Sequence, residues 1–221
     1  MNPEVSEKPS EPPNNLARLS TPLLIVISGP SGGGKTTLFE RLIGSRPEMT
    51  RAVTCTTRQP RPGERDAVDY YFLTADSFLR RVQAGNFLEH ATVHGHSYGT
   101  LKSEVLGKMR QGRDVLLNVD VQGASAIRTK ALEDPELKLA LVSVFLTPPS
   151  LKILEERLRR RGTDSEATIQ KRLGVARQEV AQWKHFDYLL VSGTIAEDLQ
   201  RMLAIVECEK MRSHRSPAPE F

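Results

Sequence analysis

Residues 23–37 read LLIVISGPSGGGKTT: an apolar run, a glycine-rich turn, and a Lys-Thr-Thr that opens a helix. No other stretch constrains the fold as strongly. A buried-type strand feeding a glycine turn and then a helix is the phosphate-binding unit of an α/β protein. The spacing G-x-x-x-x-G-K-T falls on Gly29, Gly34, Lys35 and Thr36. Glycines let backbone N–H groups turn inward where a Cβ would block a phosphate oxygen, and the helix N-terminus that follows favours an anion. The cradle for a nucleoside triphosphate is therefore Gly29, Pro30, Ser31, Gly32, Gly33, Gly34, Lys35, Thr36 and Thr37. In it Lys35 supplies a point charge to the β- and γ-phosphates and the Thr36 hydroxyl is placed to ligate Mg²⁺. A flexible glycine linker would show the same letters, but not the strand before them and the amphipathic segment after them.

At 221 residues the chain is one domain, or one domain with an insertion, with a formal charge of +4. The basic residues cluster at Arg58, Arg61 and Arg65 and again at Arg157, Arg159, Arg160 and Arg161. No aromatic interleaving or RNA-binding signature accompanies them, which favours phosphorylated small molecules over nucleic acid. The two cysteines, Cys55 and Cys208, have neither disulfide nor metal spacing, and imply a reducing, cytoplasmic setting. No stretch approaches the roughly 20 apolar residues of a membrane span. Residues 1–20 lack the apolar core of a signal peptide and, rich in Pro, Glu, Ser and Asn, read as a disordered tail; SHRSPAPEF reads as a second frayed end.

Strand-like and helix-like segments alternate along the rest. Helices are expected at 36–45, 75–84, 102–111, 122–132, 150–160 and 195–211, with strands at 114–119, 139–146 and 188–191. Thr163 and Glu166 have capping-box spacing, opening a helix that runs to about Trp183. Residues 50–100 differ, being short strands and turns, and read as a small inserted subdomain. The expected fold is α/β: a parallel sheet with helices on both faces, carrying a small mixed α/β insertion and a helical lid. Its parts are a core of 21–53, 101–154 and 183–211, an insertion of 54–100, a lid of 155–182, and a C-terminal tail of 212–221.

Six separated blocks, ISGPSGGGKTT, TTRQPRPGE, VDYYF, FLEHATVHGHSYGT, NVDVQGA and RLRRRGTDSEATIQKRL, together resemble the guanylate kinase family from about Leu23 to Met211. The resemblance implies phosphoryl transfer from ATP to GMP, with dGMP as a further acceptor and Mg²⁺ as cofactor. It implies that Arg58 and Arg61 grip the GMP phosphate, where planar guanidinium forks suit phosphate oxygens, and that Tyr70 and Tyr98 add hydroxyl donors. It assigns Glu89 to the guanine ring N–H and exocyclic amine, with Thr54 and Thr100 beside it, and puts Asn118 and Asp120 at the same acceptor site. Arg157, Arg161 and Arg172 fall on positions that in relatives meet the triphosphate or the transferring phosphoryl group, so the implied catalytic set is Lys35, Asp120 and these three arginines. Taken singly, Arg58 and Arg61 read as solvated loop residues, Tyr70 as strand packing and Glu89 as a surface residue at a helix end; their joint appearance overturns those readings.

Two positions depart from the family pattern. Asn118-Val119-Asp120 stands where Asp-x-Asp is usual, and Val191-Ser192-Gly193 stands where an Asn near the adenine is usual. The expected partners are ATP and GMP, with neither nucleic acid nor membrane. A non-catalytic interaction module and a phosphate-loop kinase with another acceptor are the competing readings. The intact Gly29, Gly34, Lys35 and Thr36 argue against the first, and Glu89 with its paired threonines against the second.

Overall fold

The computed structural model describes residues 21–216 apart from His94 and Thr163. The tail expected at 1–20, residues 217–221 and the Thr163 half of the expected capping box lie outside the described residues.

The apolar run forms strand β1 (Leu24–Ser28), buried along its whole length. Parallel partners flank it on both sides, β7 (Asp114–Asn118) and β8 (Leu141–Thr147), with β2 (Met49–Arg51) and β9 (Tyr188–Val191) at the edges. The order is β2-β7-β1-β8-β9. A strand buried on both faces needs apolar residues in both phases of its alternation, as LIVI supplies. Leu24 and Val26 face one core with α3 (Lys102–Arg110), α4 (Val121–Leu132) and α5 (Pro135–Ala140). Ile25 and Ile27 face the other with α1 (Lys35–Ser45) and α8 (Ile195–Lys210). Helices thus cover both faces, as expected.

Residues 55–101 build a second, mixed sheet of order β4-β3-β6-β5, from β3 (Cys55–Thr56), β4 (Tyr71–Phe72), β5 (Phe87–Val93) and β6 (His96–Leu101). Helix α2 (Ala75–Gln83) packs on it through Phe78, whose ring stacks on Phe87 with centroids 4.5 Å apart. A helical hairpin follows β8: α6 (Leu151–Arg161) and α7 (Glu166–Val180) share a small core of Leu154, Leu158, Ile169, Leu173 and Ala176. Among the described residues no helix is long and apolar enough to cross a membrane.

Three expectations need correction. Leu139 and Ala140 are not strand but the last turn of α5, whose N-cap Asp134 accepts from the N–H groups of Glu136 and Leu137 at 2.9 and 3.1 Å. Pro135 at its first position is preset for a helix. Helix α7 begins at Glu166 under a Ser165 cap that accepts from the Thr168 N–H at 3.3 Å, so Glu166 is its first residue and not the third of a capping box; it ends at Val180, short of Trp183. The segment 212–216 is docked and not frayed. Arg215, only 6% exposed, donates to the Leu139 and Leu141 carbonyls at 2.8 and 3.2 Å and pairs with buried Glu209, while its own carbonyl accepts from the Thr21 N–H at 2.9 Å.

Candidate active site

The turn after β1 holds its shape through backbone that only glycine adopts without strain. Gly29 has φ of 141°, and a Cβ there would lie 2.0 Å from the Leu146 carbonyl oxygen. Gly34, in left-handed conformation, caps α1 without a side chain, so the first-turn N–H groups stand open to an anion. Lys35 folds back over the turn and donates to the carbonyls of Gly29 and Pro30 at 2.7 and 3.0 Å. Burial lowers its ammonium pKa, against the opposing pull of the Glu179 and Asp120 carboxylates.

A cavity of about 630 Å³ opens above the turn, walled by residues 31–38, by Asn118, by Arg157, Leu158, Arg160 and Arg161 of α6, and by the β9–α8 turn. The root of α6 is seated on the turn itself, since a Cβ on Gly32 would meet Leu158 and Leu154 methyls at 2.9 and 3.1 Å. Arg157 donates to the Ser192 hydroxyl at 2.8 Å and reaches the Gly33 carbonyl at 3.5 Å. Thr36 presents its hydroxyl to the cavity, with the Asn118 amide 3.4 Å away.

A second cavity, about 330 Å³, lies between the two sheets and is walled by Thr54, Tyr70, Glu89, Tyr98, Thr100, Asn118 and Asp120, among others. Asn118 borders both cavities, so they meet at its side chain. Glu89 enters this one because β5 carries a bulge: Phe87 pairs with Leu101 but Glu89 with Thr100, so two steps on β5 match one on β6. Regular alternation would put Phe87 and Glu89 on one face. The bulge instead sends Phe87 toward α2 and Glu89 toward Thr100, whose hydroxyl donates to it at 2.6 Å. Gly99 makes room, because a Cβ there would meet Phe87 Cδ1 at 2.9 Å and the Glu89 carbonyl oxygen at 3.0 Å. At 9% exposure, burial raises the Glu89 carboxyl pKa; nearby Asp120 adds to this and the bonds from Thr100 oppose it. Asp120 is the N-cap of α4, accepting from the Gly123 N–H at 2.7 Å.

Of the residues singled out in the sequence, Gly29 and Pro30 line neither cavity, and three arginines also stand off these walls. Arg58 lies beside the second cavity, over the Tyr70 ring at 5.3 Å, but its fork is held by Glu64 at 2.8 Å. Arg61 contributes its backbone N–H to the same carboxylate at 2.7 Å, and the two arginines hold the Glu64 carboxyl pKa below the usual range, chiefly through the Arg58 bond. Arg172 pairs with Asp164 in the α6–α7 connection at 3.1 Å. Arg160, named in the basic cluster but left out of the implied catalytic set as a solvated residue like Arg159, lines the first cavity while Arg159 turns outward to Glu155 and Glu166. Helical spacing carried that signal, since 157, 160 and 161 share a face that 159 does not. Sequence reasoning missed Glu179, whose carboxyl pKa is raised by burial against the pull of the nearby Lys35 ammonium. Nothing in the sequence marks that approach, which exists only once α7 folds back over the turn.

The sequence profile of one family, described as guanylate kinase, matches residues 21–209. Guanylate kinase from Maricaulis maris is 40% identical over 195 residues, covering 88% of this chain and 87% of that protein. Guanylate kinase from Alcanivorax borkumensis is 44% identical over 195 residues, covering 88% and 91%. Among solved structures, the crystal structure of guanylate kinase from Anaplasma phagocytophilum superimposes with a TM-score of 0.67 at 30% identity, over 90% of this chain and 92% of that one.

Proposed function

The chain belongs to the guanylate kinase family, and from that premise we propose that it transfers the γ-phosphoryl group of ATP to GMP, and to dGMP, in the cytoplasm. One observation carries the reading: a phosphate-loop cavity and a cavity holding a buried carboxylate meet at Asn118. A phosphoryl group held in the first is within reach of an acceptor held in the second. An oxygen of the GMP phosphate attacks the γ-phosphorus in line, and its bond to the β-phosphate oxygen breaks, leaving ADP and GDP. The transfer is direct, so the protein positions and neutralises and forms no covalent intermediate.

Residues 29–37 hold the triphosphate, and Lys35 moves from the loop carbonyls onto its phosphates. Arg157 and Arg161, with Arg160 on the same wall, spread positive charge over the transferring group. Arg172 joins them from the lid, residues 155–182, by leaving Asp164. In the acceptor subdomain, residues 54–100, Tyr70 and Tyr98 donate to the GMP phosphate and Arg58 and Arg61 reach it from Glu64. Glu89 accepts from the guanine ring N–H and exocyclic amine, with Thr54 and Thr100 flanking it, while Asn118 and Asp120 close the cavity on the donor side. These contacts address the acceptor's phosphate and base, which is why dGMP should serve as well.

The donor set suits Mg²⁺. Thr36 offers a hydroxyl oxygen at the mouth of the loop and Asp120 a carboxylate near Lys35, hard ligands of the kind an ion shared with phosphate oxygens takes. Thr36 would hold it, and it would neutralise charge on the β- and γ-phosphates. Initial rates with ATP and GMP, dGMP, AMP, CMP or UMP test the proposal. Turnover of GMP and dGMP alone is expected, and equal turnover of AMP would overturn it.

A further inference from the structure

The loop between β3 and β4 carries Arg58, and the groups around that guanidinium fix where it points. Its Cζ lies over the Tyr70 ring at 5.3 Å and the Phe72 ring at 6.0 Å. Nη1 donates to the Gln59 carbonyl at 2.7 Å and Nη2 to Glu64 Oε1 at 2.8 Å. Glu64 is itself tied down. Its Oε2 accepts from the Arg61 N–H at 2.7 Å while its own N–H donates to the Arg61 carbonyl at 3.0 Å, so side chain and backbone close the same turn. The Arg58 and Glu64 side chains are only 13% and 20% exposed, which spares the pair much of the screening that weakens an open surface bridge. One carboxylate thus holds the side chain of the first loop arginine and the backbone of the second.

Two roles suit a carboxylate so placed, and they carry opposite signs. A placeholder occupies the arginine until a phosphate displaces it, and so competes with the ligand. An anchor stays in place, aims the remaining donors and helps the ligand. The bonds favour the anchor. A guanidinium group has five N–H donors, so a phosphate can reach Arg58 without breaking the bond to Glu64. The Glu64 charge is met by Arg58 at 2.8 Å, which leaves little of it to repel a phosphate beyond. Resting on the reading that the second cavity takes GMP, we propose that Glu64 is a positioning residue for the acceptor phosphate: it stays on Arg58 when GMP binds and aims the uncommitted N–H groups at the phosphate oxygens.

Calorimetric titration of GMP, and of guanosine, which lacks the phosphate, into the full chain tests this beside steady-state kinetics. Glutamine at 64 keeps the size but brings an NH₂ group against an existing donor, so it cannot serve both bonds. Glu64→Gln should raise Kd and KM for GMP roughly tenfold, with Kd for guanosine and KM for ATP within about twofold of the parent. Guanosine binding doubles as the check that the variant subdomain is folded. In an Arg58→Ala chain the same substitution should weaken GMP by no more than about twofold, because the anchor acts through the guanidinium. GMP binding that Glu64→Gln leaves unchanged or tightens would overturn the proposal, and tightening would mark a placeholder. Equal losses for GMP and guanosine would overturn it too, by showing that Glu64 only supports the subdomain. So would the whole loss recurring on top of Arg58→Ala. A parent chain that binds GMP no better than guanosine would sink the acceptor-phosphate reading itself, and the proposal with it.

Discussion

Glu89 carries two demands that oppose each other. Burial with one hydroxyl donor makes its ionised form costly, while the guanine recognition proposed for it needs that form as an acceptor. Because its folded pKa is raised, the folded state holds the proton more tightly than the unfolded chain. Stability is therefore lost as pH rises from the ordinary carboxylate range through the raised pKa, and the loss persists above it. Glu89→Gln should consequently melt higher than the parent at neutral pH and alike in acid, as thermal unfolding across pH will show. The same substitution should lower kcat/KM for GMP by a hundredfold or more, about 3 kcal/mol for lost charge-assisted bonds, with a relative gain for AMP. Asp120 separates in a comparable way. Asparagine caps a helix as well as aspartate does, so Asp120→Asn should leave stability within about 0.5 kcal/mol while turnover falls and its Mg²⁺ dependence shifts; denaturant melts and a Mg²⁺ titration of rate decide it. These residues were legible in the sequence as candidates because their chemistry shows in their letters. Their partners were not: that Glu64 holds Arg58, or Asp164 holds Arg172, depends on loops whose path no local pattern sets.

Elements were legible where periodicity ran long and illegible where it was short. Strand β1, the helix after it and the strand at 114–118 stand out by unbroken apolar runs or helical spacing. Helix α5 is only six residues, and its Leu137 and Leu139 run into the apolar letters of β8, so the cap at Asp134 was the signal to follow. The bulge in β5 was invisible, because a register shift is a property of two strands paired together and the letters of neither strand alone carry it. It can nonetheless be tested from one residue. Gly99→Ala should strain the hairpin by about 1–3 kcal/mol and displace Glu89, raising KM for GMP roughly tenfold while KM for ATP holds. Steady-state kinetics with each substrate varied in turn check this; equal effects on both KM values would mean the hairpin does not set the acceptor site.

At the scale of the whole molecule the parallel sheet puts both cavities at the carboxyl ends of its strands, where such sheets bind ligands. The opposite end is closed by the docked segment at 212–216. Buried Glu209 takes bonds from Arg215, Tyr188 and Arg212 there, so removing Arg215 leaves a carboxylate short of its main partner. Arg215→Ala should cost about 3 kcal/mol and lower Tm by roughly 5–10 °C, and Glu209→Gln in the same chain should recover part of it. Differential scanning calorimetry of the single and double variants measures both. The bond between Thr21 and Arg215 has a further consequence. The two ends of the described chain meet at one spot, with 2.9 Å between the Thr21 N–H and the Arg215 carbonyl, at the opposite end of the sheet from both cavities. Residues 21–216 are thus a plug on a single stem: a short tether from 216 to 21 would close them into a ring, and a surface loop of another protein would accept them without being pried apart.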